Sequence, residues 1–318
     1  MESIMINTPY KGYKRFLWVV LAISLGGMAT IFMLDFVADP FNMNGIFDFG
    51  FDKKLVSYRS NYRLYKIIEY NKQPVPNIIL GDSRMEALDT RLIAEASGQN
   101  YFNFAYGGGT LYEAIDTFWY AAGMAKLKNV YIGVNFNVYN KIYSLSLVPE
   151  AVSLASRPLI YYVSPFVAKI SLYNIIYRLT GLNLASERPP MSKEEFWAQR
   201  LGAATDYYYG TYIYPYDALK SLHEIMKYCE DNAIKLSLII FPTHVELQDK
   251  VQEYGLSAEY DRYKVDLRSV APVIDFDYPN EWTKNKQLFI DPYHFNEEIM
   301  QALIDEIWRH KLRIGKMQ

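Results

Sequence analysis

The chain has a single cysteine, Cys229, among its 318 residues. One cysteine cannot form a disulfide within the chain, so cysteine usage does not reveal the redox compartment in which the protein folds. Cys229 shares the apolar face of a helical pattern with Ala218, Leu222 and Ile225. This position indicates a small buried side chain and not a nucleophile.

The sequence also lacks the patterns of metal and nucleic-acid binding. It has no Cys/His cluster and no His-x-x-x-His pair, so neither a metal nor another cofactor is expected. The net charge is −2, which gives no general attraction to nucleic acid. Hydrophobic residues make up 51% of the chain and charged residues 21%, enough for one sizeable core.

One long stretch, Phe16–Leu34, contains no charged residue. As a helix its 19 residues rise about 28 Å, close to the hydrocarbon thickness of a bilayer. Lys14 and Arg15 precede it, and the positive-inside rule then keeps the N-terminus in the cytoplasm. The pattern predicts a single-pass protein of the cell membrane whose remaining chain is extracytoplasmic. Two alternatives are a signal peptide cleaved near Val37–Ala38 and a buried core helix.

From Pro74 onward, short apolar runs alternate with helical patterns. The runs are residues 77–80, 100–105, 129–135, 235–241, 273–276 and 287–290. The alternation predicts an α/β fold, with three α/β/α layers around a central, mostly parallel sheet.

The same patterns predict the division of the chain. Residues 1–38 form the cytoplasmic N-terminus and the transmembrane helix, 39–73 a juxtamembrane linker and 74–318 the α/β domain. Within that domain, residues 136–215 lose the alternation and indicate an insertion. The insertion either covers a site and sets substrate preference, or forms a helical pad against the core or the membrane.

Polar residues follow several of the predicted strands. Asn77–Leu80 ends in Gly81-Asp82-Ser83, where a serine would stand at the carboxyl end of a strand. Alone, this tripeptide is typical of a helix cap. Three further blocks follow in order: Gly107–Gly109, Gly133-Val134-Asn135 and Asp291-Pro292-Tyr293-His294. The last block, taken by itself, could also be a helix-start cap with a surface histidine.

The order Ser, Gly, Asn, Asp-x-x-His resembles the SGNH/GDSL hydrolase superfamily, over roughly Pro74 to His310. The resemblance implies an SGNH-like catalytic domain with Ser83 as nucleophile and Asp291 and His294 as its triad partners. It also implies an oxyanion hole made by Ser83, Gly108 and Asn135. The chain departs from the family pattern at two positions, because Arg84 replaces the usual Leu and Phe136 replaces the usual Asp.

The residue types suit acyl transfer. An imidazole titrates near neutrality, so His294 can take the serine proton and return it to a leaving group. A carboxylate three residues away can hold the ring in the required tautomer. His244 also follows a predicted strand, which makes it a rival base or a substrate contact. Arg84, beside the serine, is a second candidate for substrate contact.

A single apolar helix before such a domain resembles proteins that acylate cell-surface polysaccharides. The resemblance implies a serine O-acyltransferase, with acetyl as the expected group and a polysaccharide or acyl ester as substrate. It also implies a multi-spanning membrane O-acyltransferase as partner. Two alternatives remain: an esterase or deacetylase that releases the acyl group to water, and an inactive glycan-binding scaffold of an export or assembly complex.

Overall fold

The computed structural model describes residues 10–185 and 191–318. The chain divides into two compact units. The first, here called the N-terminal unit, comprises Met1–Ile68 and Ala151–Glu187. The second, here called the sheet unit, comprises Glu69–Glu150 and Arg188–Gln318.

The described residues form the following elements in chain order. The α-helices are α1 Tyr10–Ala38, α2 Tyr62–Lys72, α3 Ser83–Glu86, α4 Thr90–Ser97, α5 Leu111–Met124, α6 Val148–Ala155, α7 Pro158–Tyr162, α8 Pro165–Thr180, α9 Lys193–Gln199, α10 Thr205–Tyr209, α11 Tyr216–Asp231, α12 Val245–Glu253, α13 Ser257–Val270 and α14 Glu297–Trp308. The strands are β1 Asn77–Leu80, β2 Phe102–Asn103, β3 Asn129–Gly133, β4 Lys235–Ile240, β5 Val273–Asp275, β6 Phe289–Asp291, β7 His294–Phe295 and β8 Lys316–Met317. Short π-helical or 3-10 turns cover Lys54–Tyr58, Lys141–Tyr143, Arg200–Ala204 and Lys286–Leu288.

The sheet unit is built on a six-stranded sheet in the order β2-β1-β3-β4-β5-β8. The first five strands are parallel and β8 runs antiparallel to β5. In this register Leu80 stands beside Ile132, so β1 and β3 end at the same edge of the sheet. Loops that leave these carboxyl ends therefore meet, which is where open α/β sheets place their ligands.

Helices cover both faces of this sheet. On one face, Ile79, Ile239 and Ile274 pack in a core with side chains of α4 and α14, including Ile93 and Leu303. Side chains alternate along a strand, so the buried neighbours Ile78 and Leu238 point to the opposite face of the sheet. There α5 packs against β1, and α11 packs against α5, β4 and α13. The predicted three-layer α/β/α class with a mostly parallel sheet is confirmed. Cys229 is buried on α11, as expected.

The N-terminal unit contains the long apolar helix α1. Gly12–Ala38 is long and apolar enough to cross a membrane, and its most apolar part is not buried. The alternative of a buried core helix is therefore wrong. The C-terminal turns of α1 pack against α7 and α8, where Ser171 Oγ donates to Asp35 Oδ1 at 2.8 Å.

Two features of the sheet unit differ from expectation. The run 287–290, expected to end the main sheet, belongs instead to a 3-10 turn and to β6, which pairs antiparallel with β7 in a separate hairpin. The edge strand β8 is also unexpected.

The predicted insertion 136–215 is divided between the two units. Its residues 151–185 belong to the N-terminal unit, and its other described residues belong to the sheet unit.

Candidate active site

Ser83 stands on the sharp turn that joins β1 to α3. Gly81 has φ +151, and a Cβ there would lie 3.0 Å from Met85 Cβ and 3.1 Å from the Gly133 carbonyl oxygen. Only glycine fits this turn without strain. Asp82 caps α3 by accepting from the Arg84 amide at 2.9 Å, and Ser83 is the first residue of the helix. The turn therefore presents the serine hydroxyl above the end of β1.

Asp291 and His294 stand directly opposite each other on the β6–β7 hairpin. Directly paired residues of antiparallel strands project to the same side, which explains why a spacing of three brings the two side chains together. The neighbouring Phe289 and Phe295 bury their rings in the core beside Phe241. The Pro292 carbonyl oxygen also accepts from the His244 amide at 3.0 Å, which holds the hairpin turn against the end of β4.

The turn and the hairpin bring Ser83, His294 and Asp291 into one hydrogen-bonded chain. Ser83 Oγ lies 2.7 Å from His294 Nε2. His294 Nδ1 lies 2.8 Å and 2.9 Å from the two oxygens of Asp291. Asp291 is buried, whereas Ser83 and His294 are half-buried and open to solvent. This is the geometry in which a carboxylate orients an imidazole and the imidazole activates a hydroxyl.

The charge of Asp291 is set by its surroundings. Burial raises the pKa of this carboxyl, but the hydrogen bond and charge of His294, the Tyr293 amide and the charge of Arg200 outweigh it, so the pKa lies below its ordinary value. Arg200 Nε is 3.7 Å from Asp291 Oδ2, and its guanidinium stacks on the Tyr293 ring at 4.7 Å. The ionised Asp291 accepts from His294 Nδ1–H, which leaves Nε2 free to accept from Ser83.

The amides expected to hold an oxyanion lie on adjoining loops. The Tyr106 amide donates to the Gly81 carbonyl at 3.0 Å, so the glycine loop 107–109 runs beside the Ser83 turn. Gly108 has φ +66, a left-handed conformation that favours glycine. Among the described residues, the amides of Ser83 and Gly108 donate to no protein acceptor. Both are available to a ligand, and their role as oxyanion donors stays a prediction.

The side chain of Asn135 joins two strand ends. Its Nδ2 donates to the Phe241 carbonyl at 2.7 Å and its Oδ1 accepts from the Phe241 amide at 3.2 Å. This clamp uses one of the two amide hydrogens. Asn137, two residues later, accepts from Arg84 Nη2 through Oδ1 at 2.8 Å. Its Nδ2 has no acceptor among the described residues and is not sealed from solvent.

Arg84 is fully buried directly beneath the serine turn. Its guanidinium pairs with Asp82, with Nε 3.2 Å from Oδ1, and bonds Asn137. Burial lowers the pKa of Arg84, but Asp82 raises it further, so the group stays charged. With an exposure of 2%, Arg84 positions the Asp82–Ser83 turn and Asn137 from below. Substrate contact by Arg84, the predicted role, stays a prediction.

No protein-family model matches the chain, and no curated protein matches it. Solved structures do. A protein of Bacteroides fragilis proposed to be an acylhydrolase is 14% identical, with 80% of this chain and 98% of that chain covered and a TM-score of 0.40. A Streptococcus pneumoniae protein proposed to be a platelet activating factor is 11% identical (80% and 92% covered, TM-score 0.41). A GDSL-like lipase of Bacteroides thetaiotaomicron is 17% identical (80% and 100% covered, TM-score 0.38). Likenesses this distant do not show what the chain does, so its chemistry is taken from its own side chains.

His244, the predicted rival base or substrate contact, caps a helix in the structure. It is 4% exposed and caps α12, where Nδ1 accepts from the Glu246 amide at 3.3 Å. Trp197 packs edge-on against the ring at 5.0 Å. Burial lowers the pKa of His244 below its ordinary value of 6.5. Contact between His244 and substrate stays a prediction.

Aromatic side chains adjoin His294 on the side of the predicted insertion. Tyr293 is buried, its hydroxyl lies 2.8 Å from Thr205 Oγ1 and its ring lies 5.6 Å from Tyr208. Tyr143 stacks on Tyr208 at 5.0 Å, and Tyr207 lies edge-on to Tyr143 at 5.2 Å. We call Tyr143, Tyr207 and Tyr208 the tyrosine cluster. Tyr207 is 54% exposed, so the cluster presents an aromatic face to solvent near the site.

Sequence reasoning missed three residues of this neighbourhood. Arg200 lies in the loosely patterned region, where no spacing links it to Asp291. Asn137 lies two residues after Asn135 of the Gly-x-Asn block. Its polar side chain close to the end of a predicted strand is the sequence feature that could have indicated it. Asn103 donates to the Met85 carbonyl at 3.0 Å and so holds the C-terminal end of α3. Within the described ranges, no group of His, Cys, Asp or Glu side chains could hold a metal ion.

Proposed function

We propose that this protein is a membrane-anchored serine O-acyltransferase that acts outside the cytoplasm on a cell-surface polysaccharide. The observation that carries the proposal is the pair of contacts at His294, with Ser83 Oγ at 2.7 Å from Nε2 and Asp291 at 2.8 Å from Nδ1. A solvent-accessible hydroxyl held this way is an activated nucleophile. Acetyl is the expected acyl group by resemblance to proteins that acylate cell-surface polysaccharides.

The proposed steps use the contacts between Ser83, His294 and Asp291. His294 Nε2 takes the Ser83 proton while Oγ attacks the acyl carbon of an ester donor. Amide donors on the adjoining loops hold the tetrahedral oxyanion. Collapse expels the donor alcohol, which receives the proton from His294, and leaves an acyl-Ser83 ester. An acceptor hydroxyl then gives its proton to His294 as its oxygen attacks the acyl carbon. Collapse of this second tetrahedral intermediate breaks the bond between the acyl carbon and Ser83 Oγ, which takes the proton back from His294, and the acceptor is released as the new ester.

The tyrosine cluster supports a sugar acceptor. Tyrosine rings offer broad apolar faces with a polar edge, which suits the mixed surface of a sugar ring. With water as acceptor, the same intermediate would give an esterase. The acyl donor would come from a multi-spanning O-acyltransferase in the same membrane, the partner that the family resemblance implies.

The helix α1 supports retention at the membrane. Its last turns belong to the fold of the N-terminal unit, since Asp35 and Ala38 are buried and Asp39 accepts from the Gly45 amide at 2.8 Å. Cleavage near Val37–Ala38 would remove Asp35 and its bond to Ser171. The anchor is therefore proposed to stay on the mature protein.

The proposal is tested with full-length protein in detergent or nanodiscs. A fluorophosphonate probe should label wild type at Ser83, and Ser83→Ala should lose both labelling and turnover of an activated acetyl ester. The matched control Ser144→Ala alters an exposed serine and should keep both. Adding an acceptor oligosaccharide should divert the acyl group from free acid to acylated sugar. Free acid as the only product would favour the esterase, and labelling at no serine would overturn the enzyme proposal.

A further inference from the structure

The N-terminal unit exposes large apolar side chains on short elements. Leu159 and Ile160 of α7 are 75% and 51% exposed, and Phe47 and Phe49, on the loop after α1, are 37% and 49% exposed. Single exposed apolar residues are ordinary, but a group of them marks an interaction surface. We call α7 together with residues 46–49 the apolar rim.

The apolar rim is joined to the end of α1. Tyr162, the last residue of α7, packs edge-on against Phe32 and Phe36, each at 5.3 Å. Phe47 lies edge-on to Phe36 at 6.1 Å, and Phe49 lies 6.0 Å from Phe47. Asn44 fixes this arrangement by donating to the Phe36 carbonyl and the Tyr162 hydroxyl, at 3.0 Å and 3.1 Å. Both parts of the rim are thus continuous with the last turns of α1.

The length of α1 gives the depth of these turns. The span Gly12–Ala38 has 27 residues. It is about 40 Å long as a helix, roughly 10 Å more than the hydrocarbon core of a bilayer. With Lys14 and Arg15 at the cytoplasmic headgroups, the 19 uncharged residues of Phe16–Leu34 fill the core. Phe32 and Phe36 then lie at the outer boundary of the hydrocarbon, and Tyr162 with them.

We propose that the apolar rim is a second membrane contact, in which Leu159, Ile160 and Phe49 enter the outer leaflet beside α1. Exposed apolar side chains next to a helix at the depth of the headgroups have lipid as their nearest apolar partner. Arg157, exposed immediately before α7, fits the same partner because its guanidinium can meet lipid phosphates. The contact rests on the proposed anchoring by α1 and is independent of the chemistry at Ser83.

Depth-dependent fluorescence quenching tests this contact on the full chain. In a Cys229→Ala background, a polarity-sensitive dye is attached at Leu159→Cys, with Phe49→Cys as a second site in case the first perturbs α7. The protein is placed in nanodiscs whose lipids carry a quencher near the headgroups. Met33→Cys, 57% exposed on α1, is the positive control, and Val265→Cys, 56% exposed on α13 in the sheet unit, reports the aqueous signal.

The expected result is a blue-shifted, quenched dye at Leu159 and at Phe49, similar to Met33 and unlike Val265. Dyes at both rim sites that behave like Val265, while Met33 is quenched, would overturn the contact and leave the anchor intact. An unquenched Met33 would overturn the anchor itself, and the rim contact with it. Adding Ile160→Asp to the Phe49 label should reduce its quenching at least twofold, and unchanged quenching would also count against the rim.

Discussion

Asp291 is the side chain on which the rest of the site depends. It is buried, it accepts from the Tyr293 amide at 2.8 Å and the His294 amide at 3.1 Å, and it bonds the His294 ring. Its carboxylate therefore fixes both the hairpin turn and the imidazole. Arg200, at 3.7 Å, helps to keep this carboxylate ionised although it makes no hydrogen bond to it through Nε.

Replacing Arg200 should make the activity more sensitive to acid. In Arg200→Gln the positive charge beside Asp291 is lost, so the pKa of this carboxyl rises and it takes up a proton at higher pH. We expect the acid limb of kcat/KM to move to higher pH, because Arg200 helps to lower the pKa of Asp291. The pH profile of ester turnover measures this shift.

In Arg200→Lys the acid limb of kcat/KM should lie close to its wild-type pH, because lysine keeps the positive charge although it lacks the planar guanidinium. Arg309→Gln is the matched control, since it removes an exposed arginine that pairs with Asp305 on α14. An acid limb that stays in place in Arg200→Gln would mean that Arg200 serves packing on Tyr293 alone.

His244 should make the fold sensitive to mild acid. Burial is the main cause that lowers the pKa of His244, and the charge of Lys286 lowers it as well. The charges of Glu246 and Asp249 raise it, but not enough to offset these two causes. The folded protein thus binds fewer protons at His244 than the unfolded chain. The stabilisation is full above the unfolded pKa, near 6.5, and is lost as the pH falls through the lower folded value.

His244→Asn should flatten this dependence, because Asn also caps a helix but does not titrate. Chemical denaturation at about pH 7.5 and about pH 5 gives the free energy of unfolding, which should drop less in the variant than in wild type. His310→Asn, at an exposed position with positive φ that Asn tolerates, should keep the wild-type drop. Equal drops in all three proteins would show that another group causes the acid loss.

The segment that leaves β3 carries two asparagines with different contacts. Asn135 clamps Phe241 at the end of β4, so Asn135→Ala leaves a buried amide and carbonyl unpaired. It should cost about 1–3 kcal/mol in the free energy of unfolding. Asn137 keeps Nδ2 without a protein acceptor among the described residues, beside the serine turn. We expect this group to donate to the oxyanion, and the loss of one such donor lowers kcat by about 10²–10³.

Asn137→Asp separates these roles, because it keeps an oxygen that accepts from Arg84 and replaces the N–H donor with a carboxylate oxygen, whose charge Arg84 faces. We expect it to fold, since Arg84 offsets the added charge, and to lose most of its ester turnover. The opposite pattern, with normal turnover in Asn137→Asp and a rate loss in Asn135→Ala beyond its loss of folded protein, would assign the donor to Asn135, as the family resemblance implies.

The buried parallel strands could be predicted because each is a continuous apolar run that ends at a polar or glycine residue. β1 and β3 start at the predicted residues, and the turns after them follow from Gly81 and from polar residues at strand ends. The hairpin β6–β7 could not be predicted from the same signal. An apolar run such as 287–290 does not show which partner it pairs with, and here the partner lies only three residues away.

Other features of the structure leave no comparable signal in the sequence. β8 is two exposed residues, Lys316 and Met317, with no apolar run of its own. Arg200 comes from a π-helical turn, and its approach to Asp291 depends on how Tyr293 and Thr205 pack. The division of residues 136–215 between two units depends on long-range contacts, for example Ser171 with Asp35, which periodicity does not encode.

At the scale of the whole molecule, one helix among the described residues is long and apolar enough to cross a membrane, and α7 and α8 pack against its C-terminal end. This makes the topology of the chain testable. Two buried groups, Asp35 and Ala38, lie within the last turn of α1, so a cut there would damage the N-terminal unit. A signal peptide has no such ties to the domain it exports. We therefore expect an intact N-terminus, a protein that resists extraction from membranes by alkaline carbonate, and a C-terminus outside the cytoplasm.

Peptide tags at the two ends measure this directly in sealed cells. Protease added outside should remove a C-terminal tag and leave an N-terminal tag on a short membrane-bound fragment, because Lys14 and Arg15 in the first turns of α1 hold that end inside. Lys14→Asn with Arg15→Asn weakens this hold and should produce a fraction of reversed molecules. A mature chain that begins after Ala38, found by intact mass, would show that α1 is removed. The proposed second membrane contact would then have to bind lipid without a neighbouring anchor.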